Sequence, residues 1–513
     1  MRQLTSLDAN FLAMESPRTY GHVGGLAVLD PSSAPGGRIE VQDLCRVVAS
    51  RLDKLPPLRW KLVQVPLGLD HPYWIVDPDF DLDFHVRESA IPPPGSDRQL
   101  AEVVSRMFAR PLDRSRPLWE LYLIHGLPEG RVAILTKFHH AAIDGVSGAE
   151  ILGTLFDLTP DGEGVSPNGD SPEEELEVGP GNGEREPTEL EMLLRGVVGM
   201  PRQTVRAIAG LSTTVPNLGR MPGMGAMPGA PQLARTSSRI RRALRGTPDG
   251  GVLELSTARA PKLSFNGRIS SHRSIAFGSV SLSEIKGLKN ALGITVNDVV
   301  VGLCAGALRE WLKQRDELPG APLVAMIPTS VRTKSQQRAF GNKVSTMIVP
   351  IPTDVADPRK RLERAHEILK VAKERHQALP ASFMTDASNF IPPALHARAA
   401  RVSAEMMGRL RTPLNVVISN VPGPPVTLYS SGAELLHNYP VSVVTDGVGL
   451  NITVLSYRDS VDFGITADRA SIPDAWPLIE ATTRSLDELK SAVGLPLPVP
   501  RARKSARAGT PSA

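Results

Sequence analysis

A long central stretch of this chain, residues 161–262, has a composition unsuited to a folded core. Its first part, from Asp161 to Glu191, contains 11 acidic residues and a single basic one among glycine, proline and asparagine. Its second part, from Arg195 to Arg245, contains nine arginines and no acidic residue. Because such segments bury too little apolar surface to offset their conformational entropy, the acidic part is predicted to be a disordered linker. The sequence therefore predicts two folded halves, one on each side of this central stretch.

Strand-like and helix-like segments alternate on both sides of this stretch, which predicts a mixed α/β fold. The whole chain is 41% hydrophobic and 22% charged, as in ordinary globular proteins, and its 513 residues exceed one typical domain. We predict an N-terminal half over residues 1–160, a linker over 161–262, a C-terminal half over 263–493 and a basic disordered tail over 494–513.

Charge and cysteine content limit the possible partners and compartment. A net charge of only +4 gives no general attraction to nucleic acid. Asp8 and Glu15 interrupt the first apolar segment, so it does not resemble a secretory signal, and no run of about 18 apolar residues occurs. Cys45 and Cys304 lie far apart in apolar surroundings, which predicts buried free thiols. A cytoplasmic protein is expected.

Two adjacent histidines, His139 and His140, follow a predicted strand in the N-terminal half. The segment 132–138 places alternate side chains on two faces, as a buried strand does. The histidines therefore fall at the strand's end, where chains turn and functional groups collect. Asp144 and Gly145 complete the stretch HHAAIDG.

These residue types are suited to proton transfer. A neutral histidine, with an ordinary pKa of about 6.5, can remove a proton from a hydroxyl group once a carboxylate or a braced loop fixes its ring. Gly145 permits a turn that a side chain would block. A metal site is disfavoured because adjacent histidines point in different directions and no third histidine lies nearby. The absence of a Gly-x-Ser-x-Gly sequence disfavours a serine hydrolase of that type. A satisfied polar residue remains the simpler alternative for each histidine.

Several separate blocks resemble one family. HHAAIDG resembles the HHxxxDG motif of CoA-dependent acyltransferases with the chloramphenicol acetyltransferase fold. Further blocks, and the opening LTSLDANFLAMES, resemble bacterial wax ester synthase/diacylglycerol acyltransferases. Those blocks are PLWE at Pro117–Glu120, VNDVV at Val296–Val300, GNKVS at Gly341–Ser345 and ISNVPGP at Ile418–Pro424. The resemblance runs from about Leu4 to Val493 and is weakest in the central stretch.

The resemblance implies a chloramphenicol acetyltransferase-like fold with two similar halves and a tunnel between them. It implies that His140 is the general base that removes the hydroxyl proton of an acyl acceptor, which then attacks the thioester of acyl-CoA. His139 and Asp144 would support the loop and Gly145 its turn; in related folds the aspartate pairs with an arginine. The implied substrates are acyl-CoA and diacylglycerol or a long-chain alcohol, with no cofactor and no metal.

The other blocks also have plain structural explanations. Two helices are predicted to join through Gly293–Asn297, so that Asn297 and Asp298 open the second helix and could cap it. The segment SNVPGP contains two prolines and a glycine, which favours a rigid turn. Trp119 is predicted to be a packing residue, and VDFGITAD, residues 461–468, to be structural. The resemblance additionally implies substrate contacts at Asn297, Asp298, Ser419 and Asn420.

Three functions are therefore compatible with the sequence. The first is transfer of a long-chain acyl group from CoA to diacylglycerol or a long-chain alcohol. The second is a condensation-type reaction on carrier-bound acyl chains, although no carrier or adenylation module is visible. The third is a non-catalytic lipid-binding homologue, which the retained histidines, Asp144 and Gly145 argue against.

The basic part of the central stretch contains an amphipathic pattern. Leu190, Leu193, Leu194, Val197 and Val198 form a helical apolar stripe that resumes after Pro201, and Arg195, Arg202 and Arg206 lie around it. Such a segment is suited to an anionic membrane or lipid-droplet surface. The alternative is that the stripe packs on the protein itself.

Overall fold

The computed structural model describes residues 1–143, 153–161, 185–195, 260–330, 344–377 and 413–496. These residues form two six-stranded mixed sheets, one small three-stranded sheet and the helices that cover them. The strands are β1 Arg2–Gln3, β2 His22–Asp30, β3 Trp60–Val63, β4 Tyr73–Val76, β5 Val86–Ala90, β6 Trp119–His125, β7 Val132–His139, β8 Arg273–Ser281, β9 Leu323–Ser330, β10 Val344–Ile351, β11 Val416–Pro422, β12 Tyr429–Ser430, β13 Ala433–Val441, β14 Leu450–Tyr457 and β15 Ser460–Asp468. The helices are α1 Ser6–Ala13, α2 Val41–Ala49, α3 Leu82–His85, α4 Asp97–Phe108, α5 over 189–195, α6 Leu282–Leu292, α7 Val296–Gln314, α8 Pro358–Gln377 and α9 Trp476–Val493.

The first large sheet has the strand order β12-β13-β2-β7-β6-β5, in which only the β5–β6 pair is parallel. Its strands β12 and β13 come from the C-terminal half of the sequence. Residues near the end of the chain therefore complete a sheet that the first 140 residues begin. The predicted boundary at residue 160 divides the sequence, but it does not divide this sheet, which contains strands from both halves.

The second large sheet has the order β10-β9-β11-β14-β15-β8 and belongs wholly to the C-terminal half. Its central strand β11 is parallel to both of its neighbours, β9 and β14. Helix α7 packs against this sheet and against α8 and α9, so most of its side chains are buried, including Cys304. Burial raises the pKa of the Cys304 thiol to about 12. Cys45 is half-buried, and both cysteines are free thiols, as the sequence predicted.

The two sheets meet where β13 crosses β15. A Cβ atom on Gly464 of β15 would lie 1.7 Å from the carbonyl oxygen of Pro440 on β13, so a larger residue could not occupy this position. Beside this contact the buried carboxylate of Asp462 accepts a hydrogen bond from the backbone N–H of Asn438. The segment VDFGITAD therefore forms strand β15 and joins the halves, which confirms its predicted structural role.

The chain bends by 106° between helices α6 and α7, which are joined by Gly293–Thr295. The helix N-cap is Thr295, whose side-chain oxygen accepts from the backbone N–H of Asp298 at 3.2 Å. Asp298, at the third helical position, completes a capping box because its carboxylate accepts from the backbone N–H of Thr295. The expected capping role is therefore confirmed for Asp298, whereas Asn297 lies in the first turn beside it. Within the described residues no single helix is long and apolar enough to cross a membrane, and the bent α6–α7 pair meets that test only jointly.

The three-stranded sheet has the order β1-β4-β3 and separates two apolar clusters. On one face Leu62 and Trp74 pack with α1 and with Ala141 and Ala142, which follow the histidines. On the other face Val63 and Ile75 pack against Met192 of α5. Within the predicted apolar stripe, Leu190 and Leu194 are instead exposed; its continuation from residue 196 lies outside the described residues.

Candidate active site

The two histidines lie at the end of β7, as the alternating pattern predicted. His139 is the last residue of the strand and is paired across the sheet with His22 of β2. His140 is the first residue beyond the strand, and its backbone N–H donates to the carbonyl oxygen of Gly21 at 2.7 Å. Gly21 lies so close that a Cβ atom there would be 2.8 Å from Nε2 of His139. The chain before β2 therefore fixes the position of both histidines.

The buried ring of His139 is held on both of its nitrogens. Its Nδ1 accepts from the backbone N–H of Ala141 at 3.1 Å, which places the proton on Nε2. That Nε2–H group donates to Oε1 of Glu15 at 3.0 Å. A histidine bound in this way has one tautomer and one rotamer, and both of its ring nitrogens are engaged in hydrogen bonds.

Glu15 is the functional residue that the sequence analysis did not single out. Its carboxylate also accepts from the backbone N–H of Gly21 at 2.9 Å and from the guanidinium of Arg114 at 2.5 Å. Burial opposes its charge, but the hydrogen bonds and charges of His139, Arg114 and Gly21 outweigh burial and lower the pKa of Glu15 to about 2. Glu15 therefore stays ionised throughout the neutral range. Its one sequence signal was its position in the opening block LTSLDANFLAMES.

His140 has a different environment. Its half-buried ring stacks on Phe11 of α1, with ring centroids 3.8 Å apart and an interplanar angle of 19°. Its Nδ1 is buried and has no hydrogen-bond partner among the described residues. Burial, and next the proximity of His139, lower the pKa of His140 to about 4. The ring is therefore neutral at pH 7, and a neutral imidazole has one nitrogen lone pair that can accept a proton.

Asp144 and Gly145 lie outside the described residues, so their predicted support of the loop stays a prediction. Before them, Ala142 and Ile143 form the edge of a small apolar cavity of about 20 Å³. Trp119 is another wall of this cavity, and its indole N–H donates to the carbonyl oxygen of Leu58 at 2.7 Å. Trp119 is fully buried and stacks on His85, which confirms its predicted packing role.

The structure brings two of the predicted substrate-binding residues together. Nδ2 of Asn420, on β11, lies 3.4 Å from Oδ1 of Asn297, in the first turn of α7. The next residue on β11, Val421, packs against the apolar cluster that contains Phe138 and Ile143 of the histidine segment. This asparagine pair therefore lies where the C-terminal half meets the histidine-bearing half. Ser419 is half-buried on the same strand.

Asp298 has a structural environment instead. Its Oδ2 accepts from the backbone N–H of Thr295 at 2.9 Å and lies 2.8 Å from Nδ1 of His366 on α8. Lys373 lies two turns further along α8, and its Nζ is 3.7 Å from Oδ1 of Asp298. Asp298 is buried and holds α8 against the start of α7. Its carboxylate therefore orients the turn that carries Asn297.

The C-terminal half also contacts the loop that holds the histidines. Arg273 of β8 is buried and donates through Nη2 to the carbonyl oxygen of Arg18 at 2.5 Å. Its guanidinium also lies over the ring of Tyr20, which stacks on His22. Because the chain from Arg18 leads directly to Gly21, Arg273 can set the position of the backbone that binds His140.

We therefore expect Arg273→Lys to lower kcat about tenfold to a hundredfold with little change in KM, because a small displacement of a reacting group is costly. Lysine keeps the charge but cannot contact several carbonyl oxygens with a planar fork. Millimolar guanidinium added to the variant should restore part of the rate. The matched control is Arg98→Gln, which removes a contact between the halves to Asp474 without touching the loop. Equal losses in both variants would show that Arg273 serves only to join the halves.

Fold and site together define a class of protein, the two-domain chloramphenicol acetyltransferase-like acyltransferases. The structure is similar to a starter condensation domain of rhizomide synthetase solved with C8-CoA and Leu-SNAC, with a TM-score of 0.52 at 12% identity, covering 96% of this chain and 94% of that one. At that identity the likeness concerns the fold alone. A closer likeness is to the wax ester synthase/diacylglycerol acyltransferase from Marinobacter aquaeolei VT8, with a TM-score of 0.65 and 28% identity over 96% of this chain and 100% of that chain.

The sequence comparisons identify the family. Residues 4–300 match the wax ester synthase/diacylglycerol acyltransferase catalytic domain, and residues 340–490 match the C-terminal domain of the same family. A probable diacylglycerol O-acyltransferase of Mycobacterium tuberculosis is 35% identical over 493 residues, covering 95% of this chain and 98% of the relative. A putative diacylglycerol O-acyltransferase of the same species is 33% identical over 490 residues, with 95% and 90% coverage. The chain belongs to the wax ester synthase/diacylglycerol acyltransferase family and is an acyltransferase.

Proposed function

We propose that this enzyme transfers a long-chain acyl group from acyl-CoA to the hydroxyl group of diacylglycerol, and also of a long-chain alcohol, with His140 as general base. The observation that carries the proposal is the pair of unlike histidine environments. His139 is fixed by Glu15 and by Ala141, whereas His140 has a neutral ring whose buried Nδ1 has no hydrogen-bond partner among the described residues. The names of the relatives support the acceptor, and the resemblance of HHAAIDG to the motif of CoA-dependent acyltransferases supports an acyl-CoA donor.

The proposed reaction needs no covalent enzyme intermediate. His140 takes the hydroxyl proton as the acceptor oxygen attacks the thioester carbonyl carbon, and the C–S bond then breaks. The departing CoA thiolate takes the same proton back from the imidazolium, so that the products are the ester and free CoA. Burial makes the imidazolium costly in the free enzyme. During the reaction, negative charge develops on the carbonyl oxygen and offsets this cost. Because the offset exists only in the transition state, it accelerates the reaction.

One assay distinguishes this function from the two alternatives. Purified protein is incubated with radiolabelled oleoyl-CoA and either diacylglycerol or hexadecanol, and the products are separated by thin-layer chromatography. Labelled triacylglycerol or wax ester is the expected result. A carrier-dependent condensation enzyme would give no ester from CoA thioesters, and a lipid-binding homologue would give no product at all. Either result would refute the proposal.

The asparagine pair provides a second test of the site. We propose that Asn297 and Asn420 line the tunnel between the halves and contact the substrate through groups that their weak mutual hydrogen bond, 3.4 Å long, leaves unused. Asn297→Ala and Asn420→Ala should each lower kcat/KM about tenfold, the value of one or two hydrogen bonds. Because the two side chains share a contact, the double variant should lose less than the product of the single losses.

The control for this test is Asp298→Ala. It removes a cap at the helix start, so it should lower the stability by about 1 kcal/mol. If it lowered kcat/KM as much as the asparagine variants, the asparagine effects would be attributed to a shifted helix. Strictly multiplicative losses in the double variant would also contradict a shared substrate contact.

We further propose that the enzyme works at a lipid surface, because diacylglycerol and long-chain alcohols partition into lipid rather than water. The basic composition of residues 195–245, with nine arginines and no acid, supports an anionic membrane face or a lipid droplet. Arg202 and Arg206 of the predicted amphipathic segment lie outside the described residues.

A further inference from the structure

Exposed apolar side chains are concentrated around the three-stranded sheet. Among the described residues seven large apolar side chains are exposed, and four of them belong to this sheet or to the segments beside it. Leu67 is 86% exposed, Leu190 65% and Leu194 56%. A single exposed leucine needs no explanation, but a group of them on one part of the surface marks an interaction site.

Leu67 is exposed at a cost in backbone energy. It occupies a short turn, Pro66–Gly68, with a φ of +60°, a left-handed conformation that is unfavourable for a residue with a Cβ atom. Its neighbours Val65 and Leu69 point inward and pack with the small sheet. The turn therefore holds a leucine in solvent in a strained conformation that gains no packing in return.

Helix α5 presents the other leucines. Met192 points inward and packs on Val63, Val65 and Ile75 of the small sheet and its adjoining turn. Leu190 and Leu194 are four residues apart and so share one side of the helix. They lie two positions before and after Met192, about 200° around the helix, and therefore face away from the protein.

The opposite face of the small sheet leads to the histidines. Leu62 and Trp74 pack in one cluster with Leu12 of α1 and with Ala141 and Ala142 of the histidine segment. The small sheet thus lies between α5 and the segment that carries His140.

Charged groups of both signs accompany the leucines, since residues 185–195 contain two arginines and three glutamates. A surface depression of about 370 Å³ beside Leu194 is lined by Arg185 and Arg195, together with Glu191, which pairs with Arg185 at 3.6 Å. The chain leaves α5 at Arg195 and has no acidic residue from there until Asp249. Apolar groups that project beside arginines match the cross-section of a lipid surface, in which acyl chains lie beneath anionic head groups.

We infer that the Leu67 turn and helix α5 form a lipid-contact face, in which Leu67, Leu190 and Leu194 insert among acyl chains while Arg185 and Arg195 lie at the level of anionic head groups. This inference rests on the proposed function, because a water-insoluble acceptor must reach the enzyme from a lipid phase. It identifies the partner as the surface of an anionic, diacylglycerol-containing membrane or lipid monolayer. Helix α5 and the small sheet then lie between the acceptor pool and the histidine segment.

The test is flotation of the full-length protein with vesicles of phosphatidylcholine, phosphatidylglycerol and diacylglycerol. A triple variant, Leu67→Gln, Leu190→Gln and Leu194→Gln, should partition at least about tenfold less than wild type, since membrane binding scales with inserted apolar area. A matched control, Leu158→Gln with Val426→Gln, changes exposed apolar residues elsewhere and should float like wild type. The double variant Arg185→Gln, Arg195→Gln should lose only the electrostatic part of the binding, which is the part that added salt screens.

Several outcomes would overturn the inference. One is equal flotation of the triple variant and wild type, and another is an equal loss in the control. A third is self-association, seen by sedimentation velocity, that the triple variant abolishes while wild type does not float, because the face would then bind a second copy.

Acyl transfer to soluble hexanol is measured in parallel and should be unchanged in the triple variant. Failure of wild type to acylate diacylglycerol and hexadecanol would refute the proposed function, whereas the flotation result would stand independently. Loss of hexanol acylation in the triple variant alone would show a folding defect, and the single variant Leu67→Gln, at an exposed turn, would then decide the question by flotation.

Discussion

Replacing His140 with alanine is expected to lower kcat for ester formation by about 10²–10⁴-fold, the contribution that a positioned general base makes. The proposed route has no covalent nucleophile, so nothing else in it removes the hydroxyl proton. The fold should survive, because the loop is held mainly by the backbone hydrogen bond from His140 to Gly21, which alanine retains. Single-turnover rates with oleoyl-CoA and hexadecanol measure the effect without interference from product release.

Two further variants make the result specific. His125→Ala removes a histidine at the opposite end of the neighbouring strand β6, where it pairs with Glu88, and should leave kcat unchanged. His139→Ala should be less damaging than His140→Ala, because its ring positions the loop. Near wild-type turnover in His140→Ala would exclude this residue as the base.

The pH dependence of wild type follows from the same residue. Because burial lowers the pKa of His140 to about 4, kcat/KM should stay constant from neutral pH downward and fall only near pH 4. An acid limb near pH 6.5 would instead indicate a solvated ring in the free enzyme, in conflict with its buried Nδ1 and its stacking on Phe11.

The second large effect is expected from Glu15→Gln, which should lower kcat about tenfold to a hundredfold, as is usual for a carboxylate that orients a functional histidine. Glutamine can still accept from His139, but it carries no charge to pair with Arg114. We expect KM to change little, because Glu15 acts through the histidines. Glu15→Asp, which keeps the charge on a shorter side chain, should recover part of the rate; a rate equal to that of Glu15→Gln would show that charge is unimportant.

Stability provides an independent measurement for Glu15. Its folded-state pKa of about 2 lies below the unfolded value of about 4.3, so the ionised carboxylate stabilises the protein above pH 4.3, and this stabilisation is lost as pH falls toward 2. Buried His22 and His140, with pKa values lowered to about 3 and about 4, also make the protein less stable as pH falls below 6.5. Urea unfolding from neutral pH to about pH 3 should therefore show a shallower acid dependence below about pH 5 in Glu15→Gln than in wild type. Parallel curves would contradict an ionised, bound Glu15.

Local patterns predicted a good part of the site. The alternation in 132–138 placed His139 and His140 at a strand end, because side chains in a strand alternate regardless of what the strand pairs with. The large apolar indole of Trp119 predicted packing, which its burial confirms. The resemblance carried by HHAAIDG, PLWE and the later blocks gave the family, which the comparisons confirm.

Local patterns were less reliable where a residue's role depends on its exact place in an element. Asn297 and Asp298 were expected to open and cap the helix, but its N-cap is Thr295, and only Asp298 takes part in the cap, through the capping box. Helix boundaries depend on backbone hydrogen bonds that several neighbouring residues could make. The apolar stripe from Leu190 indicated a helix, but tertiary packing buried Met192 and left Leu190 and Leu194 exposed.

The sequence by itself determined which residues could do chemistry, since a histidine pair, its strand and its turn lie within a few neighbouring positions. Only the tertiary structure decided which residues hold that chemistry in place. Glu15 meets His139 across 124 positions, and Arg273 reaches the carbonyl of Arg18 across 255. Strand β13 enters the sheet of the N-terminal half from the far end of the chain. Such contacts depend on how the two halves close around a shared core, and no periodicity or spacing within one segment encodes the partner that a distant segment will provide.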